Sequence, residues 1–192
     1  MSNSFDMIKR ESDRSLLDKF CIDFCKVLER HTNYIIVSGF VAISSGRARG
    51  TEDIDIIIPK INFGKFEKLH KDLIKNGFVC MQSDNAKEIF NLYLKDNLSI
   101  RYTYKDKPLP EMEIKFAKDA LDECQLETRT KLKLTGLDVW FGSVNMNVAF
   151  KEEYLKSEKD LEDARHLRIV YDNIIDEVEI NKIKKMIRTL RL

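Results

Sequence analysis

The run from Tyr34 to Pro59, YIIVSGFVAISSGRARGTEDIDIIIP, constrains the fold of this chain more than any other stretch. Its two apolar ends are short and rich in β-branched residues, and a polar, glycine-containing connection divides them. That pattern predicts two strands rather than one long helix. In the second strand Asp53 and Asp55 alternate with Ile54, Ile56 and Ile58 before Pro59 ends the run. Residues i and i+2 of a strand project from one face, about 7 Å apart at the backbone. The isoleucines therefore fill one face and the two carboxylates share the other. Converging carboxylates repel and raise one another's pKa. A divalent cation removes that cost, and Mg²⁺ takes one or two carboxylates together with phosphate oxygens of a substrate. Two plainer readings stand beside this one: solvent-facing aspartates on an edge strand, or aspartates paired with Arg47 and Arg49.

The surrounding residues bear on phosphate. The first strand, over 34–38, ends in Ser38-Gly39 and feeds a short helix over 40–46 stopped by Gly46. Glycine lets an anion approach the backbone, and a helix N-terminus presents free N–H groups to it. Arg47 and Arg49 lie just before the acidic strand, where guanidinium groups can neutralise phosphate.

With these residues in place the sequence resembles the DNA polymerase beta-like nucleotidyltransferase superfamily, in particular its compact stand-alone archaeal and bacterial members. The resemblance rests on the apolar strand, Ser38-Gly39, and Arg49-Gly50-Thr51-Glu52-Asp53-Ile54-Asp55, with thirteen residues between Gly39 and Asp53. Phe40 stands where many members keep a small residue, which leaves Ser38 or Ser44 to supply any hydroxyl to phosphate. The resemblance implies a Mg²⁺-dependent enzyme that moves an NMP from an NTP, ATP as first choice, to a hydroxyl acceptor with release of pyrophosphate. It implies two Mg²⁺ ions, replaceable by Mn²⁺, held by Asp53, Asp55 and a third carboxylate that also serves as base. Such ions stabilise both attacking and leaving oxygens. Glu113 of EMEIKF is the choice for that carboxylate and Glu111 the runner-up, both on the face shared with Lys115. The acceptor, whether RNA, protein or small molecule, is not legible. The competing reading is a non-catalytic member that binds nucleotide or a partner, such as a toxin–antitoxin component.

A second segment, FKEEYLKSEKDLEDARHL over 150–167, also resembles this group. It implies that Lys151 and Lys159 contact nucleotide and that Asp160 orients a cation. Asp160 and Asp163, spaced i, i+3, share a helix face. The plain alternative is a solvated charged helix, whose surface pairs are worth little. Lys182, Lys184, Lys185, Arg188 and Arg191 read either as an RNA-facing patch or as the polar side of a packed amphipathic helix. Trp140, Tyr102 and Tyr104 read as base-stacking residues or as core.

The remaining pattern predicts one α+β unit over 1–192. It comprises a small mixed sheet flanked by helices, with a nucleotidyltransferase core over 12–120 and a helical extension over 143–192. Helices are expected over 12–31 with Ser12 as cap, 62–76, and 176–191. Strands are expected over 78–81, 99–104 and 111–116. Residues 87–96 fit helix or strand, 117–134 fit helix or irregular chain, and 143–165 fit one or two helices. Net charge is +1 across 192 residues, which gives no general support for nucleic-acid binding. No apolar run reaches the ~18–20 residues of a membrane span, and the N-terminus lacks signal-peptide character, so a cytoplasmic location is expected. Four cysteines read as core residues in a reducing compartment, and the scattered histidines show no zinc spacing.

Overall fold

Alternating strands of this kind must lie side by side before their two faces acquire different chemistry. The computed structural model, which describes residues 3–51 and 53–192, arranges them in a five-stranded mixed sheet. Its strands are β1 (Ile35–Val37), β2 (Asp53–Ile58), β3 (Phe78–Cys80), β4 (Ile100–Tyr104) and β5 (Glu111–Phe116), in the spatial order β1-β2-β5-β4-β3. β2 and β5 run parallel, and the other neighbours are antiparallel. The expected strands fall where their two-residue periods placed them, within a residue or two at each end.

One face of the sheet carries Ile36, Ile54, Ile56, Ile58, Met112 and Ile114 into the main core. Helix α1 (Asn3–Leu28) covers this face with Leu17, Phe20, Cys21, Phe24 and Cys25, all buried. The helix begins upstream of Ser12, which therefore lies inside it rather than at its cap. Nothing in IKRESDR breaks a helix, and strong helix formers carry it past a residue that would cap a shorter one. Leu16, placed in the apolar stripe by its spacing, is exposed. α3 (Phe63–Lys75) starts on the Asn62 side chain, which accepts from the Lys65 amide at 2.9 Å. It ends at Asn76 and Gly77, whose φ of 87° favours glycine. The ambiguous 87–96 segment is helical: α4 (Ala86–Leu92) followed by a 3₁₀ turn.

The opposite face grades from polar to apolar along β2. Asp53 is exposed, Asp55 half-buried, and Ile57 buried with Ile35 and Ala117 in a second, smaller cluster that Leu126 of α5 (Ala120–Glu127) covers. The C-terminal third is helical: α6 (Val144–Phe150), a π-helical turn over 151–155, α7 (Glu158–Val170) and α8 (Glu177–Arg191). α7 packs against α2 (Gly39–Ser44), and α8 against α6 and α5. Among the described residues no helix is long and apolar enough to cross a membrane.

Candidate functional site

The β1–α2 turn stands beside the carboxylate strand because β1 and β2 pair antiparallel, with Val37 opposite Asp55. Ser38 follows at φ 67° and ψ −139°, a conformation rare for any residue with a Cβ. Such strain costs of order 1–3 kcal/mol and persists where its surroundings impose it. Its hydroxyl lies near enough to the Asp55 carboxylate to favour the ionised form. Burial raises the pKa of Asp55. Lys115 and the Ser38 hydroxyl oppose that rise, while the charges of Glu113 and Asp53 add to it. Asp53, more exposed, accepts from the Thr51 hydroxyl at 2.6 Å.

The parallel β2–β5 register sets Asp53 opposite Glu111 and Asp55 opposite Glu113. Both expected third carboxylates therefore stand next to the aspartate pair. A cation that sequence reasoning missed lies beside them: Arg101 on β4 pairs in register with Glu113. It donates to Glu113 Oε2 at 2.9 and 3.2 Å and lies 3.4 Å from Glu111. Only the order of the sheet reveals that contact, because Arg101 is twelve residues from Glu113 and on a strand of unassigned partner. Among the described residues no three His, Cys, Asp or Glu side chains converge as a metal centre. Asp53 and Asp55 do fit Mg²⁺ in donor type: hard oxygens, two carboxylates on one face, with like charges nearby that a cation would relieve.

The phosphate candidates divide into two sets. Gly39 and the half-buried Ser38 are at the head of α2 as expected. The space a side chain would take at Gly39, however, holds the guanidinium of Arg49, whose Nη2 a Cβ there would overlap. Burial lowers the Arg49 pKa, and its Nε is buried with no partner among the described residues. Ser44 sits at the far end of α2, 1% exposed, donating to the Val41 carbonyl at 3.1 Å, and so cannot serve the helix N-terminus.

The second set gathers around Asp163 of α7, 0% exposed. It accepts from Lys151 at 2.8 Å, from Arg49 at 3.1 Å, and from Arg47. Arg47 also pairs with Glu162 and donates to the Lys159 carbonyl at 2.9 Å. Asp160 lies 3.3 Å from Lys151, whose pKa burial lowers against the pull of that carboxylate. Arg47 and Arg49 thus face α7 rather than the β2 aspartates. The exposed Lys159 side chain lines a groove of about 760 Å³ with Asp53, Arg101 and Glu111.

Other candidates fall to packing. Tyr102 is fully buried, its hydroxyl 2.7 Å from His70 Nδ1, and Tyr104 donates to Asp23 at 2.7 Å. Neither ring is free to stack a base. Trp140 lies under the cations of Arg129 and Lys131, at 4.6 and 5.0 Å. The basic α8 residues are largely spoken for: Arg191 bonds Asp119 and Asp122, Lys184 bonds Glu152, and Arg188 bonds Glu153. Such internal pairing is what a packed helix needs and an RNA-facing patch does not. The cysteines are free thiols, three of them buried.

No protein-family model matches the chain, and no curated protein matches it. Solved structures do. The antibiotic-resistance factor ANT(2'')-Ia matches with a TM-score of 0.57 and 15% identity, over 91% of this chain and 92% of that one. An antigenic nucleotidyltransferase-like protein from Paracoccidioides brasiliensis matches with a TM-score of 0.54 and 18% identity, over 90% and 88%. The fold is that of the nucleotidyltransferases.

Proposed function

We propose that the chain transfers an NMP from an NTP to a hydroxyl acceptor, releasing pyrophosphate. The observation that carries this reading is the juxtaposition of Asp53 and Asp55 on one strand face with the strained Ser38-Gly39 turn, which follows Val37, the register partner of Asp55. Asp53 and Asp55 would hold Mg²⁺, with Glu113 or Glu111 as the neighbouring third carboxylate. When bound, the ion supplies charge neutralisation for the triphosphate and for the aspartates together. The turn would orient the phosphates through backbone N–H groups at the start of α2. Lys151 lines a cavity with Ser38 and Asp55, but its ammonium is held by Asp163 at 2.8 Å, so it would act on the phosphates through its charge rather than by direct contact. Lys159, in the groove beside Asp53, would face the triphosphate or the acceptor. Glu113 would take the acceptor proton once free of Arg101.

A second reading has a specific observation in its favour. Arg101 holds Glu113, so the three carboxylates are not gathered, and a nucleotide-binding member without transfer activity, such as a toxin–antitoxin component, would look the same. Two measurements separate these readings. Titration calorimetry with ATP and Mg²⁺ should show binding that Asp53→Asn/Asp55→Asn loses, and labelled NMP should then appear on RNA, protein or a small molecule. Binding without labelled product favours the second reading. No binding of any NTP with Mg²⁺ or Mn²⁺ overturns both.

A further inference from the structure

A cavity of about 190 Å³ lies between the carboxylate face of the sheet and the C-terminal helices, lined by Ser38, Asp55 and Lys115 and by Gln125, Asn147 and Tyr154. Drug-sized ligands occupy roughly 300–1,000 Å³, so this space suits a flat fragment of a nucleotide rather than the whole molecule. Two buried amides, each 4% exposed, line it without any part in the carboxylate chemistry. Asn147 donates both Nδ2 hydrogens, to the Gly142 and Ser143 carbonyls at 3.0 Å each. What it has left to offer is its side-chain oxygen, an acceptor. Gln125 gives one amide hydrogen to Asp122 Oδ1 at 3.1 Å and keeps its other hydrogen and its carbonyl. Asp122 is itself fixed by Arg191 at 2.6 Å and by the Lys118 amide at 3.1 Å, so the glutamine is oriented from behind.

Gly142 keeps the space between these amides clear. A Cβ there would come within 3.3 Å of Asn147 Nδ2 and 3.7 Å of both Gln125 Oε1 and Val37 Cγ1. On the rim, Tyr154 and Phe150 stand with their rings under the Arg191 guanidinium, at 5.7 and 5.0 Å. A planar ring entering here meets an aromatic pair capped by a guanidinium, an amide that can pair bidentately with a base edge, and a carbonyl with no donor among the described residues.

We propose that this cavity is the nucleobase subsite and that it selects a base bearing an exocyclic amine. The assignment rests on the nucleotidyltransferase reading above. Asn147 Oδ1 accepts from the amine while Gln125 pairs with the adjoining ring edge. Adenine, guanine and cytosine carry such an amine; unsubstituted purine has neither the amine nor a ring N–H on that edge and would leave the Asn147 oxygen desolvated and unmet, while hypoxanthine and uracil could offer only a ring N–H in its place.

The test is titration of the full chain, with Mg²⁺, by two matched pairs that differ only in the amine: ATP against purine-riboside triphosphate, and GTP against ITP. Tripolyphosphate serves as the baseless control. In at least one pair the amine-bearing nucleotide should bind about threefold to tenfold more tightly, the scale of one net hydrogen bond. Gln125→Met should weaken both members of a pair alike, whereas Asn147→Ala and Gly142→Ala should each bring the ratio toward one while leaving tripolyphosphate binding as it was. Gly142 has no positive φ, so alanine there is compatible with the backbone. Equal affinities within both pairs, or a ratio that survives both Asn147→Ala and Gly142→Ala, overturns the base assignment alone. Failure of tripolyphosphate and every NTP to bind removes the nucleotidyltransferase reading with it.

Discussion

Two charged clusters flank the Ser38-Gly39 turn, and they are built on opposite terms. On the sheet face Asp53, Asp55, Glu111 and Glu113 face Arg101 and Lys115, half-exposed and in excess of their counter-charges. Against α7, Asp160, Glu162 and Asp163 meet Arg47, Arg49 and Lys151, in balance and with Asp163 and Lys151 almost wholly buried. Charge taken out of water must be paired, so the α7 cluster is closed and holds the C-terminal helices to the core. Charge left partly in water can remain in excess, and that surplus is what a cation would meet. Burial and balance mark the strut; exposure and imbalance mark the site.

The largest expected effect comes from breaking the strut. Asp163→Ala leaves Lys151, Arg47 and Arg49 without their shared carboxylate and should cost about 3–5 kcal/mol, the scale for uncovering buried charge. Urea denaturation reads this as a lower midpoint. A loss under 1 kcal/mol would show that the cluster is solvated and the comparison mistaken. Gly39→Ala comes next, because it strikes where the two clusters touch. The new methyl overlaps the Arg49 guanidinium and must push it off Asp163. Overpacking of this kind costs about 1–3 kcal/mol, and here it should also weaken NTP binding, since the head of α2 shifts with it. Wild-type stability in Gly39→Ala would show that Arg49 moves freely and couples nothing.

How much of this was legible before the fold was seen depends on whether a contact is local. The two-residue periods of DIDIII, SIRYTY and EMEIKF placed three strands and assigned their faces, because alternation is fixed by strand geometry alone. Asn62 and Gly77 likewise bracketed α3 from within a few residues. Pairing across the sheet is not local. That Arg101 would meet Glu113, or that Asp163 would gather cations from residues 47, 49 and 151, depends on strand order and helix docking that no spacing encodes. Arg47 and Arg49 show the difference well. Their proximity to the acidic strand in sequence suggested phosphate or aspartate partners, whereas docking of α7 supplied a buried carboxylate that a half-exposed one could not outcompete. Ser12 failed for the converse reason: its local cap signal was real, but an unbroken run of helix formers upstream overrode it.

The smallest effect is also the sharpest contrast with the α7 cluster, because its sign is reversed. Asp55→Asn, in metal-free buffer with EDTA, should leave the protein as stable as wild type at pH 7 or more stable by about 0.5–1 kcal/mol, the scale of relieved surface charge at functional sites. The pH dependence follows from the raised Asp55 pKa. The folded state binds that proton more tightly than the unfolded chain does, so wild-type stability declines as pH rises from the unfolded toward the folded pKa. The penalty is complete above the folded value and absent below the unfolded one. The advantage of Asp55→Asn should accordingly be full at pH 7 and shrink as acid protonates Asp55. Urea midpoints of the two proteins at neutral and acidic pH measure it. If the variant is instead less stable at neutral pH, the Ser38 and Lys115 contacts outweigh burial, and Asp55 is a structural ion like those around α7. If the advantage is present but indifferent to pH, it comes from packing of the amide, and the surplus of charge on the sheet face is already screened.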